Sequence, residues 1–187
     1  MPAVLLDRDG VINENRAHYV TRWEEFRFLP RALDALAALG RLGLRLAVVT
    51  NQSAVGRGLM TREDLDEIHR RMIARCAWRG AAIDGVFVCP HLPWQGCGCR
   101  KPKPGLLLQA LAALGEPPER CVAVGDSADD LLAARAAGVP FALVRTGHGE
   151  ETLRHPSCRQ HPPVLVARDL WAASVALRAH FEARRAA

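Results

Sequence analysis

The chain has 187 residues, 49% of them hydrophobic and 24% charged, with 25 Lys+Arg against 20 Asp+Glu for a formal net charge of +5. That length and balance suit a single globular domain able to bury its own core, and they exclude intrinsic disorder and fibrous repeats. No apolar run approaches the roughly 20 residues of a membrane span, and the opening Met1-Pro2-Ala3-Val4-Leu5-Leu6-Asp7 is too short and too soon charged for a signal peptide, so a cytoplasmic location is expected.

In chain order, strands are predicted at Val4–Leu6, Leu46–Val49, Val86–Val88, Cys121–Val124, Phe141–Val144 and Val164–Val166. Each is almost continuously apolar rather than alternating, the pattern of a parallel sheet covered by helices on both faces. Helices are predicted between them. Leu33, Leu36 and Leu39 mark one; Leu65, Ile68, Met72 and Ile73 mark another, with Thr61 as N-cap and Asp64 three residues on. Two more run from Leu106 to Leu114 and from Leu131 to Ala137, stopped by Gly115 and Gly138. A closing helix is expected over 169–184, and the proline-containing segment 156–163 reads as a loop. Strand–helix alternation without repeats or linkers predicts one domain, residues 1–187, of α/β class with a doubly wound parallel sheet.

In such folds ligands sit at the carboxyl ends of the strands. There the sequence places Asp7 and Asp9, then Thr50-Asn51-Gln52-Ser53, then Gly125-Asp126, then Thr146-Gly147-His148-Gly149, with Arg100-Lys101 between the second and third sets. Two carboxylates two residues apart can face one substrate. One can attack phosphorus to give an aspartyl-phosphate; the other can protonate the leaving oxygen and then activate water. With Asp126 they would repel one another and any phosphate, which a hard cation such as Mg2+ relieves. Thr50, the Asn51 backbone and Lys101 can donate to the transferred phosphoryl group. Asp-x-Asp-Gly alone also describes a turn; the ordered succession of the other groups at strand ends is what points to chemistry.

The second constellation is Cys89-Pro90-His91-Leu92-Pro93-Trp94-Gln95-Gly96-Cys97-Gly98-Cys99. Three thiols and an imidazole complete a tetrahedral zinc site with no position left for water, so the zinc is expected to be structural. A disulfide is disfavoured by the expected compartment and by the odd number of local cysteines. Cys76 and Cys121 read as core residues. His155, Cys158 and His161 lack a fourth ligand and read as parts of a loop; His69 and His180 lie on predicted helices with no partner visible. The tryptophans read as packing residues, except Trp94, a candidate rim residue of the zinc loop. Of the cations, 23 are Arg, scattered along the chain, as on a solvated surface and not a nucleic-acid-binding tail.

These residues resemble the haloacid dehalogenase-like phosphohydrolases. Asp7-Arg8-Asp9-Gly10 is similar to the first motif of that superfamily, Thr50-Asn51 to its second, Lys101 to its third and Gly125-Asp126 to its fourth. The resemblance implies a Rossmann-like core, Asp7 as nucleophile, Asp9 as general acid/base, and Mg2+ held by Asp7, the Asp9 carbonyl and Asp126. The Cys-x-His-x5-Cys-x-Cys pattern running directly into Arg100-Lys101-Pro102 is narrower and resembles the D-glycero-D-manno-heptose 1,7-bisphosphate 7-phosphatases over nearly the whole chain. That family implies a minimal cap, with the zinc loop (Cys89, His91, Cys97, Cys99) walling the site in place of a lid. It implies Lys101 at the transferring phosphate and Arg100 at the second phosphate, the one on C1. Asn15, Arg16, His18 and Tyr19 would form the substrate-binding segment, with Asn51, Gln52 and Ser53 lining the pocket. Ser127 stands where some members carry lysine, and its role is left open.

Histidinol-phosphate phosphatase shares the zinc-loop pattern, but its substrate needs an acidic pocket for an ammonium group; Arg16 and Arg57 favour a bisphosphate. A phospho-receiver module would place its acceptor Asp on a later strand than its acidic pair and has no zinc loop. A polynucleotide 3′-phosphatase would need an aromatic and basic groove for stacking. The expectation is therefore a Mg2+- and Zn2+-dependent phosphatase acting on a small phosphorylated sugar in nucleotide-activated heptose biosynthesis, without nucleic-acid or membrane partners, and monomeric because nothing demands an oligomer.

Overall fold

A computed structural model describes residues 1–186. Six parallel strands form one sheet in the order β3-β2-β1-β4-β5-β6: β1 Ala3–Leu6, β2 Arg45–Asn51, β3 Gly85–Cys89, β4 Cys121–Gly125, β5 Phe141–Val144 and β6 Leu165–Ala167. All six apolar runs are strands. β1 lies centrally, with Leu5 opposite Ala47 on one side and Ala123 on the other.

Alternate residues of β1 feed two separate cores, because side chains of a strand point to opposite faces. Val4 and Leu6 join Leu46 and Val48 beneath α1 (Ala32–Arg41), α3 (Arg62–Trp78) and α8 (Leu170–Ala186). Ala3 and Leu5 join Ala47 and Val49 beneath α4 (Gly105–Leu114) and α5 (Ala128–Ala136). A strand buried on both faces has no polar positions to spare, which explains the uninterrupted apolar runs. Cys76 and Cys121 are fully buried within these cores.

Three shorter helices complete the order: α2 (Ser53–Gly56), α6 (Gly149–Arg154) and α7 (Pro156–Gln160). The last corrects the expected loop at 156–163. Proline in a first turn loses no helical hydrogen bond, and His155 Nδ1 accepts from the Ser157 N–H at 3.2 Å. The predicted start of α3 is observed as a reciprocal capping box between Thr61 and Asp64. Trp78 is a second correction: it ends α3 73% exposed and packs into no core. No described helix is long and apolar enough to cross a membrane. The chain reverses direction across the sheet between β1 and β4, and the crevice at their carboxyl ends is where a ligand is expected.

Candidate active site

Asp7 follows β1, tied by its N–H to the Val124 carbonyl of β4 at 2.9 Å. Asp126 follows β4 and accepts from the backbone N–H of His148 at 2.7 Å. Gly10 and Gly147, both at positive φ, close over Asp126 so tightly that a Cβ at either would overlap its carboxylate; only glycine fits on both counts.

Lys101 reaches this crevice from beneath the zinc loop. Its ammonium donates to the Val49 carbonyl at 2.8 Å and Asp130 Oδ1 at 2.5 Å, and pairs with Asp7 Oδ1 at 2.9 Å. Its backbone is clamped by the Asn51 side chain, whose amide donates to the Lys101 carbonyl (3.1 Å) and whose carbonyl accepts from the Lys101 N–H (3.2 Å). Asn51 thereby ties the end of β2 to the loop carrying Lys101. Asp130 was not legible as a site residue. It caps α5 through Ser127, whose hydroxyl donates to Asp130 Oδ2 at 2.6 Å, and that capping-box spacing was its only sequence signal. Ser127, whose role the sequence left open, is the N-cap.

Asp9 is held differently. Arg8 Nη2 donates to both of its oxygens (2.9 and 3.0 Å), Asn13 Nδ2 to one (2.8 Å) and Gln52 Nε2 to the other (2.6 Å). Gln52 also donates to the Thr50 hydroxyl at 2.9 Å. Burial opposes ionisation at Asp9, but the adjacent Arg8 and these donors outweigh it and hold the carboxyl below its usual range.

The opposite holds at Asp7 and Asp126. Burial is the largest cause at each, and neighbouring carboxylates add to it, pushing Asp7 to about 7 and Asp126 to about 8. Lys101 offsets this only in part, since it shares its charge with Asp130. Against its own burial, Asp130 and then Asp7 hold Lys101 above the usual lysine value. Carboxylate oxygens of Asp7, Asp126 and Asp130 lie within 4.8 Å of one another. A buried, mutually repelling set of hard oxygens fits a cation such as Mg2+. With Asp130 engaged by Lys101 and Ser127, Asp7 and Asp126 are the side chains open to it, and the Asp9 carboxylate lies outside the cluster. Raised folded-state pKa values mean that these groups favour the fold below pH 4 and lose that contribution as pH rises through about 7–8. In Mg2+-free buffer, Asp126→Asn is therefore expected to match the parent's Tm at pH 4 and exceed it by roughly 5 °C at pH 8. Thermal melts across that range check it, and a constant difference would contradict it.

Cys89, His91, Cys97 and Cys99 converge as predicted, all as free thiols and imidazole. Their Sγ atoms are 3.3–3.7 Å apart, and His91 Nδ1 lies 3.2 Å from Cys99 Sγ and 3.5 Å from Cys89 Sγ. These spacings approach the ~3.8 Å edge of a tetrahedron with zinc–sulfur bonds, so the cluster could hold zinc. Lys103 braces the loop by donating to the Gly96 and Cys97 carbonyls, both at 2.9 Å. Stripping zinc with a chelator is expected to destabilise the protein by about 3 kcal/mol or more, a Tm fall of about 6–12 °C, with activity lost in parallel. An unchanged Tm after metal analysis confirms removal would overturn the structural role.

The crevice is a cleft of about 280 Å³ lined by Asp7, Asp9, Asn15, Arg16, Tyr19, Thr50, Asn51, Gln52, Ser53, Arg100, Lys101 and Asp126. Of the sequence-predicted residues, His18 is not brought in: it is exposed and does not line the cleft. Arg8 and Asp129 line it unforeseen, and His148, from the polar segment just past β5, lines it too. Arg100 Nη1 donates to the His91 carbonyl at 3.2 Å, which seats the guanidinium against the zinc loop. At the rim, Arg57 Nε donates to the Tyr19 hydroxyl at 2.9 Å and the guanidinium lies 5.5 Å from the Trp94 ring. A larger groove of about 550 Å³ between Trp23, Phe28 and Trp78 contains none of these groups.

Residues 98–173 match the HAD-hydrolase-like family model. The D-glycero-beta-D-manno-heptose-1,7-bisphosphate 7-phosphatase of Pseudomonas putida is 42% identical over 153 residues, spanning 82% of this chain and 87% of its own. That of Vibrio cholerae is 44% identical over 154 residues, 78% of this chain and 82% of its own. The crystal structure of D,D-heptose 1,7-bisphosphate phosphatase from B. bronchiseptica, complexed with magnesium and phosphate, is similar with a TM-score of 0.88 at 37% identity, covering 95% of this chain and 98% of that one.

Proposed function

Because the chain belongs to the D-glycero-beta-D-manno-heptose-1,7-bisphosphate 7-phosphatase family of HAD-like hydrolases, we propose that it removes the C7 phosphate of that bisphosphate, as the β anomer, to leave heptose 1-phosphate. The observation that carries this reading is Arg100 beside Lys101 in one cleft, which offers two separate cationic seats for two phosphates. Residues 1–187 work as one phosphatase domain. A cluster of reduced thiols suits a reducing compartment, so the enzyme acts in the cytoplasm, in nucleotide-activated heptose synthesis, as a monomer.

Asp7 attacks the phosphorus in line, forming an aspartyl-phosphate as the bond to the C7 oxygen breaks. Bound at Asp7, Asp126 and the Asp9 carbonyl, Mg2+ supplies the positive charge that offsets repulsion between these carboxylates and the phosphate. Asp9 gives a proton to the departing alkoxide and then takes one from the water that hydrolyses the acyl phosphate. In the substrate-free cleft Asp9 is ionised; the incoming phosphate dianion raises its pKa again toward the donor form. Thr50, the Asn51 backbone and Lys101 contact the transferring oxygens, with Lys101 exchanging part of its hold on Asp7. Arg100 anchors the C1 phosphate, and Asn15, Arg16, Tyr19, Gln52 and Ser53 contact the sugar.

The test compares phosphate release from both anomers of the 1,7-bisphosphate with release from histidinol phosphate. A kcat/KM preference of about a hundredfold for the β bisphosphate, near 2.7 kcal/mol, is expected, and a preference for histidinol phosphate overturns the reading. Arg100→Ala is expected to raise KM for the bisphosphate about tenfold or more while sparing simple monophosphates. Equal losses on both would move Arg100 to the reacting phosphate.

A further inference from the structure

Behind Asp9 lies a chain of hydrogen-bonded side chains that takes no part in the steps above. Arg8 is 0% exposed. Its Nη2 grips both Asp9 oxygens, while its Nη1 points away from the cleft to His69 Nε2 at 3.2 Å, on α3. Phe26 lies against the guanidinium at 5.9 Å. His69 is itself buried; burial first, then Arg8, push its pKa down to about 3, so the imidazole is neutral and its Nε2 accepts. Arg8 Nε is buried without a hydrogen-bond partner. A buried guanidinium with an unmet donor costs stability, and an apolar side chain would pack the same space without that cost. What the arrangement does provide is a fixed orientation: Arg8 held at both ends can present its Nη2 to Asp9 in only one way.

We propose that Arg8 and His69 are positioning residues, with His69 acting through Arg8 to fix the rotamer of the Asp9 carboxylate at the leaving oxygen. This rests on the reading of Asp9 as the proton donor, and the test separates the two. A sugar alkoxide needs a proton to leave, whereas p-nitrophenolate leaves without one. The measurement is the single-turnover rate of leaving-group release, with saturating Mg2+, from heptose 1,7-bisphosphate and from p-nitrophenyl phosphate, expressed as their ratio.

His69→Leu is expected to lower that ratio about tenfold or more, as a misplaced general acid would, with nitrophenolate release within about twofold of the parent. His69→Gln, whose amide oxygen can sit where Nε2 sits, is expected to restore it. Asp9→Asn serves as reference and should lower the ratio by about a hundredfold or more. If Asp9→Asn leaves the ratio unchanged, the proton-donor reading fails. If Asp9→Asn lowers it but His69→Leu does not, or if Gln rescues nothing, the positioning role is overturned. Should His69→Leu not fold, Arg8→Lys carries the same test: it keeps the charge but cannot reach Asp9 and His69 together, and an unchanged ratio overturns the proposal.

Discussion

Asp7→Asn is expected to lower kcat for the bisphosphate by about 10⁴-fold or more, with the fold and zinc content unchanged. The substitution is nearly isosteric and keeps the tie from the residue 7 N–H to Val124, but an amide oxygen is a poor nucleophile toward phosphorus. Other losses at this position would be smaller. The asparagine side chain can still take one hydrogen bond from Lys101 and still faces Asp126, so substrate binding should persist with KM changed only modestly. The covalent step gives an independent check. Acid-quenched parent enzyme should carry a phosphoryl group on the peptide containing Asp7, and the variant should carry none. Turnover above the uncatalysed background, or a phosphoryl group found on another residue, would overturn the nucleophile assignment.

Lys101→Met is expected to be nearly as damaging to activity and far worse for the fold. The Lys101 side chain is 4% exposed, and its ammonium is in contact with the buried Asp130 and the partly buried Asp7. Removing one partner of such a set leaves uncompensated charge and costs about 3–5 kcal/mol. Loss of a cationic donor to the transferring phosphoryl group should lower kcat by about 10²–10³-fold in addition. The two effects separate in a double variant. Adding Asp130→Asn removes the stranded carboxylate, so the pair should recover most of the lost stability and none of the lost rate. Chemical denaturation of the four proteins of this cycle measures the coupling. A Lys101→Met protein as stable as the parent would contradict the ion-pair geometry described here.

The legible part of the molecule was the part with simple periodicity. The inner strands β1, β2, β4 and β5 are covered on both faces, so each reads as an apolar run, and the polar residues directly following these runs fall at the site. Asp7, Thr50 and Asp126 were found in that way. The zinc ligands were legible because metal coordination demands particular side chains at short spacing. What was not legible depends on contacts between distant segments. His69 sits on an amphipathic helix like any histidine packed against a core, and only the fold brings it to Arg8, 61 residues earlier in the chain. Arg8 itself looked like the variable letter between two aspartates. Asp130 was hidden by a genuine local role, since one of its oxygens caps a helix while the other grips Lys101. The helix at Pro156–Gln160 was missed because proline marks both loops and first turns. Trp78 shows the converse, a large apolar residue at a helix end that the packing leaves outside.

The connection from Asp7 to the start of α1 at Ala32 contains only a single three-residue turn of 3-10 helix, at Trp23–Glu25. An enzyme with a folded lid can reserve its acyl phosphate for one chosen water. Here one wall of the cleft is the loop that leads from Cys89 to Arg100 and another is the irregular segment of Asn15, Arg16 and Tyr19, and any small nucleophile that fits beside Asp9 is expected to compete for the same phosphoryl group. Glycerol or another simple alcohol in the buffer is expected to become an acceptor, and hydroxylamine is expected to attack the acyl carbon, releasing phosphate and leaving Asp7 blocked as a stable hydroxamate. The same openness that dispenses with a closing motion makes the partition between hydrolysis and transfer depend on what is dissolved around the protein.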